Sequence, residues 1–141
     1  MSDTANGTSP LGVDRHLAEA RRRLDRVTPR EAYTEVAAGA RLVDTRPRLR
    51  REEEGGIPGA LVIERNHLEW RLDPSSEGVI PEADDHGLRW IVFCDEGYAS
   101  SLAAASLRAI GLHRATDLVG GFRAWHAAGL PVLPPTGRPT S

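Results

Sequence analysis

Residues 90–105 read WIVFCDEGYASSLAAA, and this stretch decides the fold. An apolar run ends at Cys94, a short loop containing Gly97 follows, and an Ala- and Leu-rich run begins near Ser100. The pattern predicts a buried strand, a tight loop and the first turns of a helix. A thiol at such a strand end lies beneath converging backbone N–H groups and the positive end of the helix dipole, which together favour the thiolate form. Cys94 is therefore a candidate nucleophile.

The competing interpretation of Cys94 is an inert core residue, because free cysteines are among the most buried residue types. Packing alone, however, does not require a thiol at the strand end directly before Asp95 and Glu96. The loop that ends at Ala99 can direct several N–H groups inward, with Gly97 supplying a positive φ where the turn needs one. Such donors stabilise a thiolate, a persulfide or a bound oxyanion.

The remaining sequence predicts strands that alternate with helices. Apolar patterning predicts strands over residues 41–45, 61–63, 88–93 and 115–119. Helical spacing and capping signals predict helices over residues 13–27, from the Thr28 capping box to Gly39, from an Asn66 cap to Asp73, and over 100–110 and 122–128. The charged segment 46–56 is predicted as a loop. This alternation indicates an α/β fold with a central, mainly parallel sheet and helices on both faces.

The length of 141 residues favours a single domain, residues 13–133, with disordered ends over 1–12 and 134–141. Residues 13–39 supply the two N-terminal helices. The first of these carries an arginine-rich face, which we interpret as solvated rather than as a nucleic-acid or partner surface, because carboxylates lie among the arginines. This helix either caps the domain or mediates self-association as a homodimer.

Composition limits the chemistry further. The net charge of −2 argues against nucleic-acid and membrane partners, and all 18 basic residues are arginine, which excludes lysine Schiff bases. One cysteine permits no internal disulfide, and scattered histidines give no metal-ligand spacing, so no metal is expected. With no signal peptide and no apolar run of about 18 residues, we expect a cytoplasmic protein. The Arg-, Ala-, Gly- and Pro-rich composition suggests a bacterial source.

Four segments, in this order, are similar to those of rhodanese-like sulfurtransferase domains. They are LVDTR at 42–46, GIPGA at 56–60, FCDEGYAS at 93–100, and GGFRAW at 120–125 with GLPV at 129–132. The resemblance covers residues 41–133 and implies the rhodanese-like fold. It also implies sulfur transfer without a cofactor: the Cys94 thiolate takes a sulfur from a small anionic donor such as thiosulfate, and the resulting persulfide passes it to cyanide or a thiol.

The resemblance also assigns the active-site loop. The loop comprises Asp95, Glu96, Gly97, Tyr98, Ala99 and Ser100. Counted from Cys94 to Ala99, the segment has the six-residue length of the family's sulfurtransferases, whereas the related phosphatases and arsenate reductases carry one residue more and end on an arginine. That difference disfavours a thiol phosphatase or arsenate reductase.

Two features of the loop depart from the family pattern. Ala99 occupies a position where the family often has arginine, and Asp95 and Glu96 make the loop acidic, which disfavours both the thiolate and thiosulfate binding. These departures motivate an alternative hypothesis, a non-catalytic rhodanese-like module that binds a partner or senses oxidants through Cys94. Tyr98 either offers its hydroxyl to the site or packs at its rim.

Three further residues are candidates for supporting roles. Asp44 is interpreted as a hydrogen-bond anchor for neighbouring loops, in preference to a general base. Arg46 is expected to pair with a carboxylate, in preference to binding the anionic donor. Arg65 follows the second predicted strand, where it is a candidate to face the pocket and replace the charge missing at Ala99.

Overall fold

The computed structural model describes residues 11–136, and this part of the chain contains one sheet of four parallel strands. The strands are β1 (Arg41–Asp44), β2 (Leu61–Val62), β3 (Trp90–Phe93) and β4 (Thr116–Asp117), in the order β2-β1-β3-β4. Val43 of β1 lies opposite both Leu61 and Val92, and Val92 lies opposite Asp117. The predicted parallel α/β fold is confirmed.

Six α-helices connect and cover the strands in the described residues. They are α1 (Val13–Arg22), α2 (Pro29–Ala37), α3 (Arg48–Glu54), α4 (Leu68–Leu72), α5 (Ala99–Ala109) and α6 (Gly121–Ala127). The predicted capping box starts α2: the Glu31 N–H donates to Thr28 Oγ1 at 3.2 Å, and the Thr28 N–H donates to the Glu31 carboxylate at 2.8 Å. These bonds satisfy two N–H groups that a helix start leaves without partners.

The two faces of the sheet carry separate apolar cores. Val43 and Val92 face the core formed with α4 and α5, whereas Leu42, Ile91 and Phe93 face the core formed with α2 and α6. Successive strand residues point to opposite faces of the sheet. Because β3 is buried on both faces, its sequence is a continuous apolar run. Helix α1 packs against α5. Helices on both faces are therefore confirmed.

The segment predicted as a charged loop, 46–56, instead contains α3. Its arginines and glutamates alternate at helical spacing, and ion pairs join Arg48 to Glu52 and Arg50 to Glu54, four residues apart. Such pairs stabilise a solvent-facing helix that buries little apolar surface. The proline and glycines at the ends of the segment indicate a loop, whereas this charge spacing indicates a helix.

Two other predicted helix boundaries are wrong. Helix α1 ends at Arg22 instead of Val27, because Val27 continues the sheet edge as a parallel bridge to Leu118. Asn66 does not cap a helix; it lies within a 3₁₀ turn, Arg65–His67, that runs directly into α4. The disorder predicted for 1–10 and 137–141 lies outside the described residues, while 11–12 and 134–136 form no helix or strand.

A buried ion pair fixes the end of β1. Asp44 Oδ1 accepts hydrogen bonds from the Arg46 backbone N–H and Nε, both at 3.0 Å, and Oδ2 accepts one from Nη2 at 2.7 Å. Nη2 also donates to the Gly55 carbonyl at 2.8 Å, and the guanidinium lies 4.2 Å from the centre of the Phe122 ring. The pair therefore ties β1 to the end of α3 and to α6.

Helices long and apolar enough to cross a membrane do not occur in residues 11–136.

Replacing Arg46 by methionine is expected to lower the free energy of unfolding by about 3 to 5 kcal/mol, because the Asp44 carboxylate then stays buried without its partner. Urea denaturation followed by circular dichroism measures the change. The matched control is Arg48→Met, since the Arg48 side chain is 82% exposed and pairs with Glu52 at the surface; a loss of about 1 kcal/mol or less is expected there. Equal losses in the two variants would contradict the importance of the buried pair.

Candidate active site

Cys94 follows the last residue of β3 and lies beneath the first turn of α5. Its Sγ accepts hydrogen bonds from the N–H of Gly97 at 3.2 Å and from the N–H of Ser100 at 3.4 Å, and lies 3.4 Å from Ser100 Oγ. The side chain is partly exposed. Backbone N–H groups that converge at a helix start stabilise negative charge. The site is therefore suited to hold an anionic sulfur that a small reagent can reach.

The Gly120-Gly121 turn holds the loop from the other side. Gly97 has a φ of +91°, and a Cβ added there would lie 2.7 Å from the Gly120 backbone nitrogen. A Cβ on Gly121 would lie 2.5 Å from the carbonyl oxygen of Cys94. Only glycine permits this close backbone approach. The paired glycines of the sequence motif thus serve the geometry of the Cys94 loop.

The backbone at the start of α6 also binds the loop. The N–H of Phe122 donates to the Cys94 carbonyl at 2.8 Å, and the N–H of Arg123 donates to the Asp95 carbonyl at 3.1 Å. Helix starts have N–H groups without intrahelical partners, and here the loop carbonyls satisfy them. Cys94 is thus held by hydrogen bonds from the starts of both α5 and α6.

Asp117, at the end of β4, is a functional candidate that sequence reasoning missed. Its carboxylate is fully buried and accepts hydrogen bonds at Oδ2 from Ser100 Oγ at 3.1 Å and Ser101 Oγ at 2.7 Å. Arg26 supplies the compensating charge, with Nε 2.9 Å from Oδ1 and Nη2 3.2 Å from Oδ2. The sequence signal for this residue is an aspartate within an apolar strand. A carboxylate buried in that position requires hydrogen-bond donors and a cation as partners.

Arg21 and Arg26 reach the loop from the N-terminal segment. Arg21 Nη2 donates to the Gly97 carbonyl at 2.8 Å, Arg21 Nε donates to Ser101 Oγ at 3.0 Å, and Arg26 Nη2 donates to the same carbonyl at 3.2 Å. The prediction of a solvated arginine face is therefore wrong for these two residues. Helical periodicity identifies the arginine-rich face, but it does not show that α1 packs on α5 beside the Cys94 loop.

The acidic side chains of the loop are paired with an arginine of α6. Arg123 Nε lies 2.8 Å from Asp95 Oδ2, Nη1 lies 3.3 Å from a Glu96 oxygen, and Nη2 lies 3.5 Å from a Glu54 oxygen. The sequence indicated an uncompensated acidic loop. In the folded protein, Arg123 offsets part of that charge.

Glu54 and Asp95 form a carboxyl pair behind the loop. A hydrogen bond with Asp95 raises the pKa of Glu54, and partial burial and the Asp95 charge raise it further, against the lowering effects of Arg123 and Arg50. Glu54 Oε1 and Asp95 Oδ1 are buried and otherwise lack hydrogen-bond partners in the described part of the chain. Arg46 Nη1 lies 3.7 Å from Glu54 Oε1, so the buried Asp44–Arg46 pair borders this cluster.

The described hydrogen bonds to Sγ come from Gly97 and Ser100 and not from the remaining predicted site residues. Tyr98 is 60% exposed at the loop surface, with the Arg21 guanidinium 5.7 Å from its ring centre, and Ala99 begins α5. Arg65 donates two hydrogen bonds to the Glu69 carboxylate, at 2.9 and 3.0 Å, rather than to the loop. Within residues 11–136, no group of three or more His, Cys, Asp or Glu side chains is placed to hold a metal ion.

The raised pKa of Glu54 predicts a pH-dependent contribution to stability. The folded protein holds the Glu54 proton more tightly than the unfolded chain does, so this contribution is present at low pH and is lost as pH rises above the ordinary value of 4.5 and through the folded-state pKa. Glu54→Gln keeps an N–H donor toward Asp95 at every pH. We expect it to lose less stability than the wild type between about pH 4 and pH 7 in urea denaturation.

Glu53→Gln is the matched control for this prediction, because the Glu53 side chain is 54% exposed. It is expected to follow the wild-type pH dependence. If Glu54→Gln and Glu53→Gln show the same dependence, the carboxyl pair makes no contribution.

Comparisons with known proteins identify the family of this chain. The profile of the Rhodanese-like domain family matches residues 28–128. A solved structure of a protein of unknown function from Rhodopseudomonas palustris, described as a possible tyrosine phosphatase, is 30% identical with a TM-score of 0.79, and the match covers 92% of this chain and 99% of that chain. The human single-domain sulfurtransferase TSTD1 is 28% identical with a TM-score of 0.60, over 72% of this chain and 95% of that chain.

A thiosulfate sulfurtransferase from Pseudomonas aeruginosa is 24% identical with a TM-score of 0.61, over 81% of this chain and 20% of that chain, and this likeness supports the fold alone. The comparison with curated proteins found no match. The family profile spans the Cys94 loop, the Asp117 strand and the Gly120-Gly121 turn. With its parallel sheet and this profile match, the chain belongs to the rhodanese-like family.

Proposed function

We propose that this protein is a sulfurtransferase that carries sulfur as a persulfide on Cys94. The observation that carries the proposal is the pair of backbone N–H groups, from Gly97 and Ser100, directed at a partly exposed Sγ. The sulfurtransferase TSTD1 among the structural neighbours supports the same chemistry. A small sulfur-containing anion is the proposed donor, and cyanide or a thiol is the proposed acceptor.

The first step forms the persulfide. The Cys94 thiolate attacks the outer sulfur of thiosulfate, so that a new bond joins Sγ to that sulfur. The sulfur–sulfur bond of thiosulfate breaks, and its electron pair leaves with sulfite. The negative charge then lies on the terminal persulfide sulfur, where the N–H groups of the loop stabilise it.

The second step returns the enzyme to its starting state. Cyanide or an acceptor thiolate attacks the terminal sulfur, the bond between that sulfur and Sγ breaks, and the electron pair returns to Cys94. The product is thiocyanate or the acceptor's persulfide. The two half-reactions use one nucleophile in a ping-pong sequence and need no cofactor.

The charges around the loop support an anionic donor. Asp95 and Glu96 alone would repel thiosulfate, but Arg123 pairs with both carboxylates. Arg21 adds a further cation at the Gly97 carbonyl, whereas the charge of Arg26, which binds the same carbonyl, is paired with Asp117. The charge of the acidic loop is thus opposed by arginines from two other parts of the chain.

A thiol phosphatase is a second candidate, because the R. palustris relative is described as a possible tyrosine phosphatase. Thiol phosphatases need a loop that surrounds a phosphate group and an arginine that binds its oxygens. Here α5 already begins at Ala99, and residues 95–99 include no arginine. We therefore place sulfur transfer first.

Thiosulfate is expected to add one sulfur atom to the wild-type protein, about 32 Da by intact-protein mass spectrometry, because a persulfide is the intermediate of the proposed reaction. Cyanide or dithiothreitol is expected to remove the added mass. Cys94→Ser is expected to gain none, and thiosulfate-dependent thiocyanate formation is expected to fall at least about 1000-fold in this variant.

Cys94→Ala serves as the matched control, since it removes both the thiol and any hydroxyl substitute at the same position. Full thiocyanate formation by either variant would contradict the proposal. A wild-type protein that gains no sulfur from thiosulfate or from other sulfane donors, yet forms a reversible sulfenic acid with peroxide, would favour the redox-sensing module instead.

Hydrolysis of p-nitrophenyl phosphate separates the two catalytic candidates. We expect the wild type and Cys94→Ser to show the same background rate, because the loop has no arginine to hold the phosphate oxygens. Turnover by the wild type that disappears in Cys94→Ser would make the phosphatase the better assignment.

A further inference from the structure

Arg21 and Arg26 lie before residues 28–128, the range that matches the family profile, yet both bind the Cys94 loop. Their guanidinium groups converge on one backbone oxygen, the carbonyl of Gly97, at 2.8 and 3.2 Å. The Arg21 side chain spans two partners at once, since Nε also donates to Ser101 Oγ at 3.0 Å. A lysine, with a single nitrogen, lacks this rigid fork.

These contacts act on the most adaptable residue of the loop. Gly97, at a φ of +91°, has no side chain to restrict its backbone, while its N–H is one of the two that bind the Cys94 sulfur. Holding the Gly97 carbonyl fixes the orientation of the adjoining peptides. The two arginines therefore determine how the loop presents its N–H groups to Sγ.

The second arginine is anchored more deeply than the first. Arg26 forms its ion pair with the fully buried Asp117, which also accepts the hydroxyls of Ser100 and Ser101. Ser100 is the residue whose N–H and Oγ contact the sulfur. The contacts thus connect Arg26 through Asp117 to Ser100, which binds the nucleophile.

The charged groups around the loop come from every element that packs against it. The cations are Arg21, Arg26 and Arg123, and the carboxyl groups are Glu54, Asp95, Glu96 and Asp117. Arg123 is engaged with the carboxylates of the loop and of α3. Arg21, in contrast, forms its hydrogen bonds to neutral oxygens, so its positive charge is not cancelled by a paired carboxylate in those contacts.

We propose that Arg21, from the N-terminal helix α1, is a positioning residue that orients the Gly97 loop and contributes positive charge toward the sulfur anion of Cys94. This role rests on the proposed function, because it assigns Arg21 to the nucleophile of that reaction. It explains how a loop with two carboxylates and no arginine of its own retains a reactive thiol.

The test measures the reactivity of Cys94 directly, without sulfur transfer. Iodoacetamide is uncharged and reacts with the thiolate, and the chain has one cysteine, so the alkylation rate reports Cys94 alone. We expect Arg21→Gln to be alkylated about threefold to tenfold more slowly than the wild type near pH 6, with the rates converging at high pH, because loss of the cation disfavours the thiolate. The midpoint of the pH–rate profile then lies at higher pH.

Arg22→Gln is the matched control, since it removes the same charge from the adjacent position of the same helix, where Arg22 pairs with Glu19. Its profile is expected to coincide with that of the wild type. Coincident profiles for Arg21→Gln and Arg22→Gln would overturn the proposal, because a merely structural contact changes thermal stability without shifting the midpoint.

Arg21→Lys replaces Arg21→Gln if the glutamine variant does not fold, with Arg22→Lys as its control. A single ammonium group cannot reproduce the fork between Gly97 and Ser101, so a smaller loss of rate, about twofold to threefold, is expected. Equal rates for the two lysine variants would overturn the proposal. Because alkylation needs no sulfur donor, a wild type that forms no persulfide contradicts the sulfurtransferase assignment while leaving this measurement valid.

Discussion

The buried carboxylate of Asp117 is the constraint on which much of this structure depends. A charge at zero exposure requires hydrogen-bond donors and a cation, and the protein supplies them from two places: the hydroxyls of Ser100 and Ser101 in the first turn of α5, and the guanidinium of Arg26. The sheet edge, the first turn of α5 and the segment between α1 and α2 are thereby held together. These elements meet beneath Cys94, so satisfying one buried charge also shapes the candidate active site.

The same site shows how a protein offsets an unfavourable local composition. Asp95 and Glu96 follow the nucleophile directly, and in isolation they oppose both a thiolate and an anionic donor. The fold places Arg123 against these carboxylates from one side and Arg21 at the Gly97 carbonyl from the other. Electrostatic compensation that a short loop lacks can therefore come from residues distant in sequence.

Backbone geometry makes the second contribution to the site. The Gly120-Gly121 turn approaches the loop so closely that a side chain at Gly121 would overlap the carbonyls of Cys94 and Asp95, and one at Gly97 would overlap the Gly120 backbone. The start of α6 donates N–H groups to the same two carbonyls. The loop carbonyls are thus directed toward α6, while the N–H groups of Gly97 and Ser100 remain free to bind the sulfur. This division of donors and acceptors suits an anionic sulfur and needs no side-chain base.

The sequence by itself determined the parallel α/β fold, the strand that leads to Cys94 and the capped start of α2, because these depend on local patterns: apolar runs, glycine positions and a capping box. It also indicated the family through short motifs around the turns. Helix α3 and the Arg65–Glu69 pair also depend on local spacing, since their ion pairs join residues four apart. Only the tertiary structure decided that Val27 joins the sheet edge and that Arg21, Arg26, Asp117 and Arg123 surround the loop. The physical reason is that these contacts join residues far apart in the chain, and such residues meet only when the helices pack on the sheet, which periodicity along the sequence does not encode.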